Sequence, residues 1–572
     1  MIQLRNLNLE KLRRYESWLV LLLFVLLTTI AAWNILTDLN GVIIGRDNDV
    51  YINPWADWWT LKAITDPDIS LWRSDLMYYP IGADLVYHSF SHLNTAVSLA
   101  LRPLLGILPA YNITILINYV LAGLSMFHLG RYMTGSSVAG ILAGIVFAFN
   151  SHNLYQSCHP VLVSIWCFPW MTLYFIRAVR ENSVKLALVA AVFVFLGAAT
   201  STVLVVLLIF WTGLLLLCLF FSTQFPRPSW QVVLTFGLAS ALFVLPTVLP
   251  LLADAIAGSN SSFIIDPEES IRTDMGAFMV PHWYFWLIRG MYIGIAPFFL
   301  MMLAFGRKRR PAAIWFLVTL VAYLFAIGPT PIIFNTPLPI VLPWTLPIAP
   351  VLRNMYRMMI LMSLGVAMVA AYGWLGMLES IGNDRKKILI AAALTGGLIF
   401  FEYTAVPFPS TPATVSAFYT DYLDEVPQDV VIAIIPTGRQ QDKRYMYYQT
   451  IHEHPMTGGV ISRAGEDVFQ FITNNSLLRA GAVDLREKVA PTDREAALAQ
   501  LAEANVGFFI IDKALLNESY LMGESLLNLN DWRQFMVVEP IYEDDYLVVY
   551  PTAAQFSTQE SIFMNENASS TQ

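Results

Sequence analysis

Residues 17–37 read Ser-Trp-Leu-Val-Leu-Leu-Leu-Phe-Val-Leu-Leu-Thr-Thr-Ile-Ala-Ala-Trp-Asn-Ile-Leu-Thr, without a single charge. As a helix this run covers the roughly 30 Å of hydrocarbon in a bilayer, for which about 20 apolar residues are needed. Ten further apolar stretches follow, at 111–131, 137–150, 161–178, 186–200, 201–221, 230–250, 290–305, 312–328, 355–377 and 388–406. A chain patterned in this way is expected to be a polytopic α-helical membrane protein of about eleven spans. Composition excludes the main alternatives. Only 13% of the 572 residues are charged, about half the share in a soluble domain. The three cysteines, Cys158, Cys167 and Cys218, cannot build a disulfide framework.

Charge placement predicts the orientation. Arg5, Lys11, Arg13 and Arg14 precede the first stretch. That stretch is longer than a signal-peptide core and no small-residue cleavage pattern follows it, so it reads as an uncleaved anchor with a cytoplasmic N-terminus. Alternating the spans from there puts Arg131, Arg177, Arg180, Lys185, Arg227, the run Arg307–Arg310 and Arg385–Lys387 on the cytoplasmic side, as the positive-inside rule requires. Residues 38–110 form a long first external loop. Within it 93–108 is apolar but short, with Arg102 and Pro103, and suits a helix lying at the interface.

An odd number of spans places the C-terminal region outside the cytoplasmic membrane. Residues 407–572 hold 23 acidic and 10 basic side chains, against 19 and 24 in residues 1–406. So acidic a region argues against a nucleic-acid partner. Strand-like runs at Val430–Pro436, Gly507–Lys513 and Tyr546–Tyr550, and a helical run at Asp493–Ala504 with Thr492 as its N-cap, predict a small extracytoplasmic α/β domain. The last dozen residues, rich in Asn, Ser and Gln, read as disordered. The expected organisation is thus a membrane domain over 1–406 and a second domain over 407–572.

Seven of the eight histidines and most acidic residues of the membrane domain fall in predicted external segments, so any chemical site faces outward. Asp47 and Asp49, about ten residues beyond the first span, lie two apart, and on an extended segment they share a face. Such a pair suits proton abstraction from a hydroxyl or oxygen ligation of a divalent cation. A solvated acidic turn beside the interfacial aromatics Trp55, Trp58 and Trp59 accounts for the pattern more simply. His88 and His92 have the i,i+4 spacing of one helix face, with His152 and His159 in the next external loop. These four suit metal or substrate binding, and Asp and His ligands together fit Zn or Mn better than Mg; loop hydrogen bonding is the ordinary alternative. Arg353 and Arg357, also i,i+4, stand at the outer end of a span, the side where arginine is disfavoured. There they suit a phosphate at headgroup level, or snorkelling to membrane lipids. Arg272 and Arg289 are weaker candidates for the same role. No Walker loop, GxSxG elbow, HExxH or CxxC occurs.

A set of motifs spread along the chain resembles the C-type (GT-C) integral membrane glycosyltransferases, and is closest to bacterial membrane proteins labelled "6-pyruvoyl-tetrahydropterin synthase related". These are Asp47-Asn-Asp49 with the three tryptophans, Tyr78-Tyr-Pro80-Ile-Gly82, His88, Leu93-Asn94, Arg131-Tyr-Met-Thr-Gly135 and Ala148-Phe-Asn-Ser-His152. Arg353-Asn-Met-Tyr-Arg357, Tyr445–Thr450, Gly458-Gly459 and Arg463 complete the set. The resemblance implies transfer of a sugar from a polyprenyl-phosphate donor to an extracytoplasmic glycan, lipid or protein, with Asp47 or Asp49 as the base. It also implies a second acidic residue after the third span, where this chain carries Ser151–Pro160 with His152 and His159 instead. That departure leaves open both a divalent metal (Mn, Mg or Zn) as cofactor and catalysis itself. No residue supports a pterin. A lipid-linked saccharide transporter and a non-catalytic membrane assembly protein are the rival readings. The first would need charged or broken helices at mid-membrane; intramembrane charges are few, Glu402 near the end of the last span being one, which weakens that reading.

Overall fold

Lipid offers the backbone no hydrogen-bond partner, so an apolar stretch that enters it must satisfy its own N–H and C=O groups as a helix. Every predicted apolar stretch contains one. The computed structural model describes residues 2–257, 274–279, 292–334, 336–352, 354–382, 384–404, 407–461 and 464–553. Among these, seven helical segments are long and apolar enough to cross a membrane: Ile107–Thr134, Ser137–Cys158, Pro160–Glu181, Thr202–Phe221, Trp230–Asp254, Arg309–Ala326 and Met355–Ile381. Tyr15–Ala31, Val184–Thr200 and Ile295–Arg307 are shorter apolar helices. The last dozen residues, expected to be disordered, lie outside the described residues. Contacts divide the chain into a larger unit, 1–46 with 90–411, and a smaller one, 47–89 with 412–572. Residues 47–89, more than half of the first predicted loop, are therefore grouped with the C-terminal region.

In the larger unit the helices approach each other through glycine. A Cβ on Gly140 would stand 2.7 Å from the carbonyl oxygen of Phe127, and one on Gly144 would stand 2.7 Å from that of Gly123. These contacts close the antiparallel pair Ile107–Thr134 and Ser137–Phe149. Helix Met359–Ile381 is equally tight: a Cβ on Gly373 would lie 1.9 Å from the carbonyl oxygen of Leu300, and one on Gly365 would lie 2.9 Å from the backbone nitrogen of Thr319. Small residues let backbones meet where lipid supplies no hydrophobic drive for helix association.

Buried polar side chains fasten the rest. Asn112 accepts from the Ile44 N–H (3.0 Å) and donates to the carbonyls of Val42 (2.8 Å) and Leu39 (3.1 Å). Asn118 donates to Asn94 (2.8 Å) and accepts from Ser164 (2.9 Å) and the Trp166 indole (2.8 Å). Glu402 accepts from the backbone N–H of Ala296 (3.0 Å), from that of Ile295 and from the Tyr292 hydroxyl. It thereby caps helix Ile295–Arg307, where a carboxylate meets unpaired N–H groups and the positive end of the helix dipole.

The smaller unit is built on a four-stranded sheet in the order Val431–Ile435, Val506–Asp512, Leu547–Pro551, Tyr542–Glu543. The first pair is parallel and the other two are antiparallel. Its apolar faces pack with Leu477, Leu478, Leu501, Leu516 and Trp532 from the surrounding helices. Helix Arg494–Glu503 is capped by the side chain of Asp493, which accepts from the Ala496 N–H at 3.2 Å. The expected cap, Thr492, stands one residue outside, because an aspartate at N-cap reaches the same N–H. Helix Ile52–Thr65 packs on helix Asp442–His452. There the Trp55 indole donates to Gln449 Oε1 (2.8 Å), and Gln449 donates to the carbonyls of Leu76 (2.7 Å) and His454 (2.9 Å).

Two stability predictions follow from these contacts. Gly373→Ala forces a methyl into the Leu300 backbone and is expected to cost about 1–3 kcal/mol. The control Gly397→Ala, in open space, should leave the protein unchanged. Tryptophan-monitored thermal unfolding in detergent separates them, and equal midpoints would refute the packing argument. Gln449→Ala leaves the fully buried Trp55 N–H unpaired, at a cost of about 1–3 kcal/mol. Protease resistance of the 47–89 segment should fall; unchanged resistance would show the bond to be dispensable.

Candidate functional site

Asp47 opens the acidic turn. Its backbone is extended and its side chain accepts from the Asp49 N–H (3.4 Å), starting a single 3₁₀ turn, Asn48–Tyr51. The two carboxylates therefore do not share a strand face, as extended geometry predicts: Asp47 is exposed, whereas Asp49 turns inward. Asp49 Oδ1 lies 2.5 Å from Lys443 Nζ at the start of helix Asp442–His452, and the Lys443 side chain is only 6% exposed. The same ammonium donates to Gln440 Oε1 at 2.8 Å. Beside it, the Arg444 guanidinium lies over the Tyr51 ring, 5.5 Å from its centroid. Burial opposes the Arg444 charge, but Tyr51, Tyr448 and Asp512 outweigh that and raise its pKa.

Asp442, buried beside this pair, accepts from the Thr437 hydroxyl (3.0 Å) and from the N–H groups of Gly438 (3.1 Å) and Gly459 (2.9 Å). Burial pushes its pKa up to about 7, although these hydrogen bonds pull the other way. Sequence reasoning missed Asp442, Lys443 and Arg444. The available signal was three consecutive charges just ahead of the aromatic run Tyr445-Met-Tyr-Tyr448.

His88 belongs to the same unit. It is buried with its ring edge against Trp55 (5.3 Å between centroids), and burial lowers its pKa to about 4, so it stays neutral. Helix His92–Leu105 begins only at His92. The i,i+4 helical face expected of His88 and His92 is therefore not formed, because His88 lies in the bend before the helix.

His92, His152, His159 and Arg357 lie in the larger unit. His92 stacks on Phe90, 5.7 Å between centroids, and burial lowers its pKa. His152 is buried with its edge to Tyr356 (5.9 Å), and Arg357 and His159 lie within electrostatic reach of it. His159 Nδ1 is 3.0 Å from Cys158 Sγ. Three of the candidates thus gather around the turn Met355–Met358. Arg353, Arg272, Arg289 and Arg463 lie outside the described residues. Asn354 is extended between two short helices, which interrupts the continuous helix implied by the spacing of Arg353 and Arg357. The Arg357 guanidinium donates to the Leu352 carbonyl (2.9 Å).

Among the described residues no three or more His, Cys, Asp or Glu side chains come together as a metal-ligand set. Of the donors expected for a divalent metal, Asp47, Asp49 and His88 lie in the smaller unit and His92, His152 and His159 in the larger. Also in the larger unit, a small cavity is lined by Val146, Asn150, Met359, Met362, Val366 and Tyr403, a mostly apolar wall.

No protein-family model matches the sequence, and no curated protein is detectably similar to it. Solved structures are similar in fold. The arabinofuranosyltransferase AftD from Mycobacteria aligns with a TM-score of 0.55 and 16% identity, over 88% of this chain and 35% of that one. ArnT from Cupriavidus metallidurans, in the apo state, aligns with a TM-score of 0.51 and 12% identity, over 95% of this chain and 98% of that one. The chain shares the fold of these two proteins. With seven apolar membrane-length helices among the described residues it is an integral membrane protein of that fold. It spans about a third of the length of AftD but almost the whole of ArnT.

The buried Asp442 yields a pH prediction. Its folded pKa is raised from 3.8 to about 7, so between about pH 4 and 7 the folded state holds a proton that the unfolded state has released. Stability contributed by this group is therefore present at low pH and lost as pH rises toward 7. Asp442→Asn should flatten that dependence in thermal unfolding of the full chain in nanodiscs between pH 5 and 8. Parallel curves for the two proteins would refute it.

Proposed function

We propose that the protein transfers a sugar, with inversion, from a polyprenyl-phosphate-linked donor to an acceptor outside the cytoplasmic membrane: a cell-envelope glycan, a lipid or a protein. The observation that carries the reading is the C-type fold, aligned with ArnT over nearly the full length of both chains. In this reading about eleven spans cross the cytoplasmic membrane, the N-terminus is cytoplasmic, and residues 407–572 form an extracytoplasmic α/β domain that covers the site or selects the acceptor.

The acceptor hydroxyl gives its proton to Asp49, or to Asp47 beside it, and its oxygen attacks the anomeric carbon of the donor. The bond between that carbon and the phosphate oxygen breaks, and polyprenyl phosphate leaves. Arg353 and Arg357 hold the donor phosphate and take up the charge that develops on it. An aromatic and apolar groove between spans receives the isoprenoid. His88, His92, His152 and His159 are assigned to substrate or metal contacts, and no step here runs through a metal ion.

Release of polyprenyl phosphate from a panel of polyprenyl-phosphate sugars, by purified protein in nanodiscs with host-membrane acceptor, tests this reading. Asp49→Asn is expected to lower turnover at least about a hundredfold, the usual span of a lost general base, and Asp47→Asn to lower it less. Folded protein that turns over no donor, with or without chelator, would shift the reading to lipid-linked saccharide transport or membrane assembly.

A further inference from the structure

A carboxylate that takes a proton from a substrate must be held in one place and kept ionised until the substrate arrives. Asp49 meets an ammonium. Lys443 Nζ is 2.5 Å from Asp49 Oδ1, and the lysine side chain is 6% exposed where the aspartate's is 28% exposed. So buried an ammonium is costly unless it is paired and hydrogen-bonded, and Asp49 and Gln440 supply both. The helix that carries Lys443 is clamped to helix Ile52–Thr65 by the Trp55–Gln449 bond, by the Trp58 indole on Glu453 (2.9 Å) and by the Lys62–Glu453 ion pair (2.6 Å). The loop after it joins the first-loop segment through the Tyr79 N–H on the Met456 carbonyl (3.0 Å) and the Tyr78 N–H on that of Gly458 (3.1 Å). On the other side, Asp442 fastens the start of the helix to Gly438 and Gly459. Lys443 is therefore presented on a braced element, with Asp47, Tyr51, Arg444 and Tyr447 flanking the pair.

We propose that Lys443, supplied by the C-terminal region, is a positioning residue for the base Asp49: it fixes the carboxylate's direction and keeps it ionised. The inference rests on the sugar-transfer reading and adds that the C-terminal region acts in the chemistry instead of only covering the site. Lys443 touches Asp49 and does not itself transfer a proton to or from substrate.

Polyprenyl phosphate release by the full-length protein in nanodiscs tests the proposal, with Lys443→Met and Lys443→Arg beside the wild type. The Met variant should lose about a hundredfold in kcat, the effect of a misplaced catalytic group, with KM for the donor nearly unchanged. The acid limb of its rate profile should move up by about one pH unit, because the neighbouring positive charge that favours the carboxylate is gone. Lys443→Arg should restore the limb and most of kcat. A Met variant with wild-type kcat and limb overturns the proposal while leaving sugar transfer standing, as does a folded Arg variant as impaired as Met. If the Met variant fails to accumulate in membranes, Lys443→Gln, neutral but still able to donate to Asp49, replaces it for the pH readout: its acid limb should move up as for Met, and an unmoved limb overturns the proposal. Wild-type protein without turnover overturns the transfer reading and this proposal together.

Discussion

Lipid tails are as apolar as leucine, so the larger unit cannot be assembled by hydrophobic burial between its helices. What assembles it is close backbone approach. Gly140 and Gly144 seat one helix on the Phe127 and Gly123 carbonyls, and Gly365 and Gly373 seat another on Thr319 and Leu300. Dispersion over such short separations replaces the solvent-driven term that dominates soluble cores. The fold depends on these glycines more than on the identity of its many leucines, several of which, such as Leu238, Leu242 and Leu394, are exposed on the surface of the bundle.

Polar side chains inside that bundle act as fasteners. Glu402 reads in the sequence as one of few intramembrane charges, near the end of the last span, and so as only a weak hint of transport. In the structure its carboxylate closes the first turn of helix Ile295–Arg307, a role that accounts for the charge without a transport pathway. Asn112 and Asn118 do comparable work for the strand Val42–Ile44 and for the Ser164–Trp166 segment. In a medium without water each such group must find a protein partner, and those partners pin the loops that carry the candidate residues.

The smaller unit follows the opposite rule, with a sheet and flanking helices burying apolar side chains from water. Its strands were legible because alternation and β-branched runs are local signals: 430–436, 507–513 and 546–550 match Val431–Ile435, Val506–Asp512 and Leu547–Pro551 within a residue. The candidate site was less legible. Spacing arguments assume that a helix or strand continues through the residues counted, and at each pair the backbone changes course. A 3₁₀ turn follows Asp47, helix His92–Leu105 starts after His88, and Asn354 is extended ahead of Arg357. Residue type pointed to the right neighbourhoods, but the geometry was set by caps and bends that periodicity does not register.

Hydropathy and strand alternation are written in neighbouring residues, so the sequence by itself determined that this is a helical membrane protein, where its apolar helices run, and that a sheet-bearing region follows. The same reading marked Asp47 and Asp49 as the acidic turn worth watching. Only the tertiary structure decided what that turn meets. Lys443 and Asp49 lie almost 400 residues apart in the sequence, and no local signal encodes their ion pair. It exists because helix Asp442–His452 and helix Ile52–Thr65 share a buried face, on which two tryptophans, one glutamine and a salt bridge set the register. Long-range contacts of this kind come from packing two surfaces whose complementarity no single stretch of sequence displays.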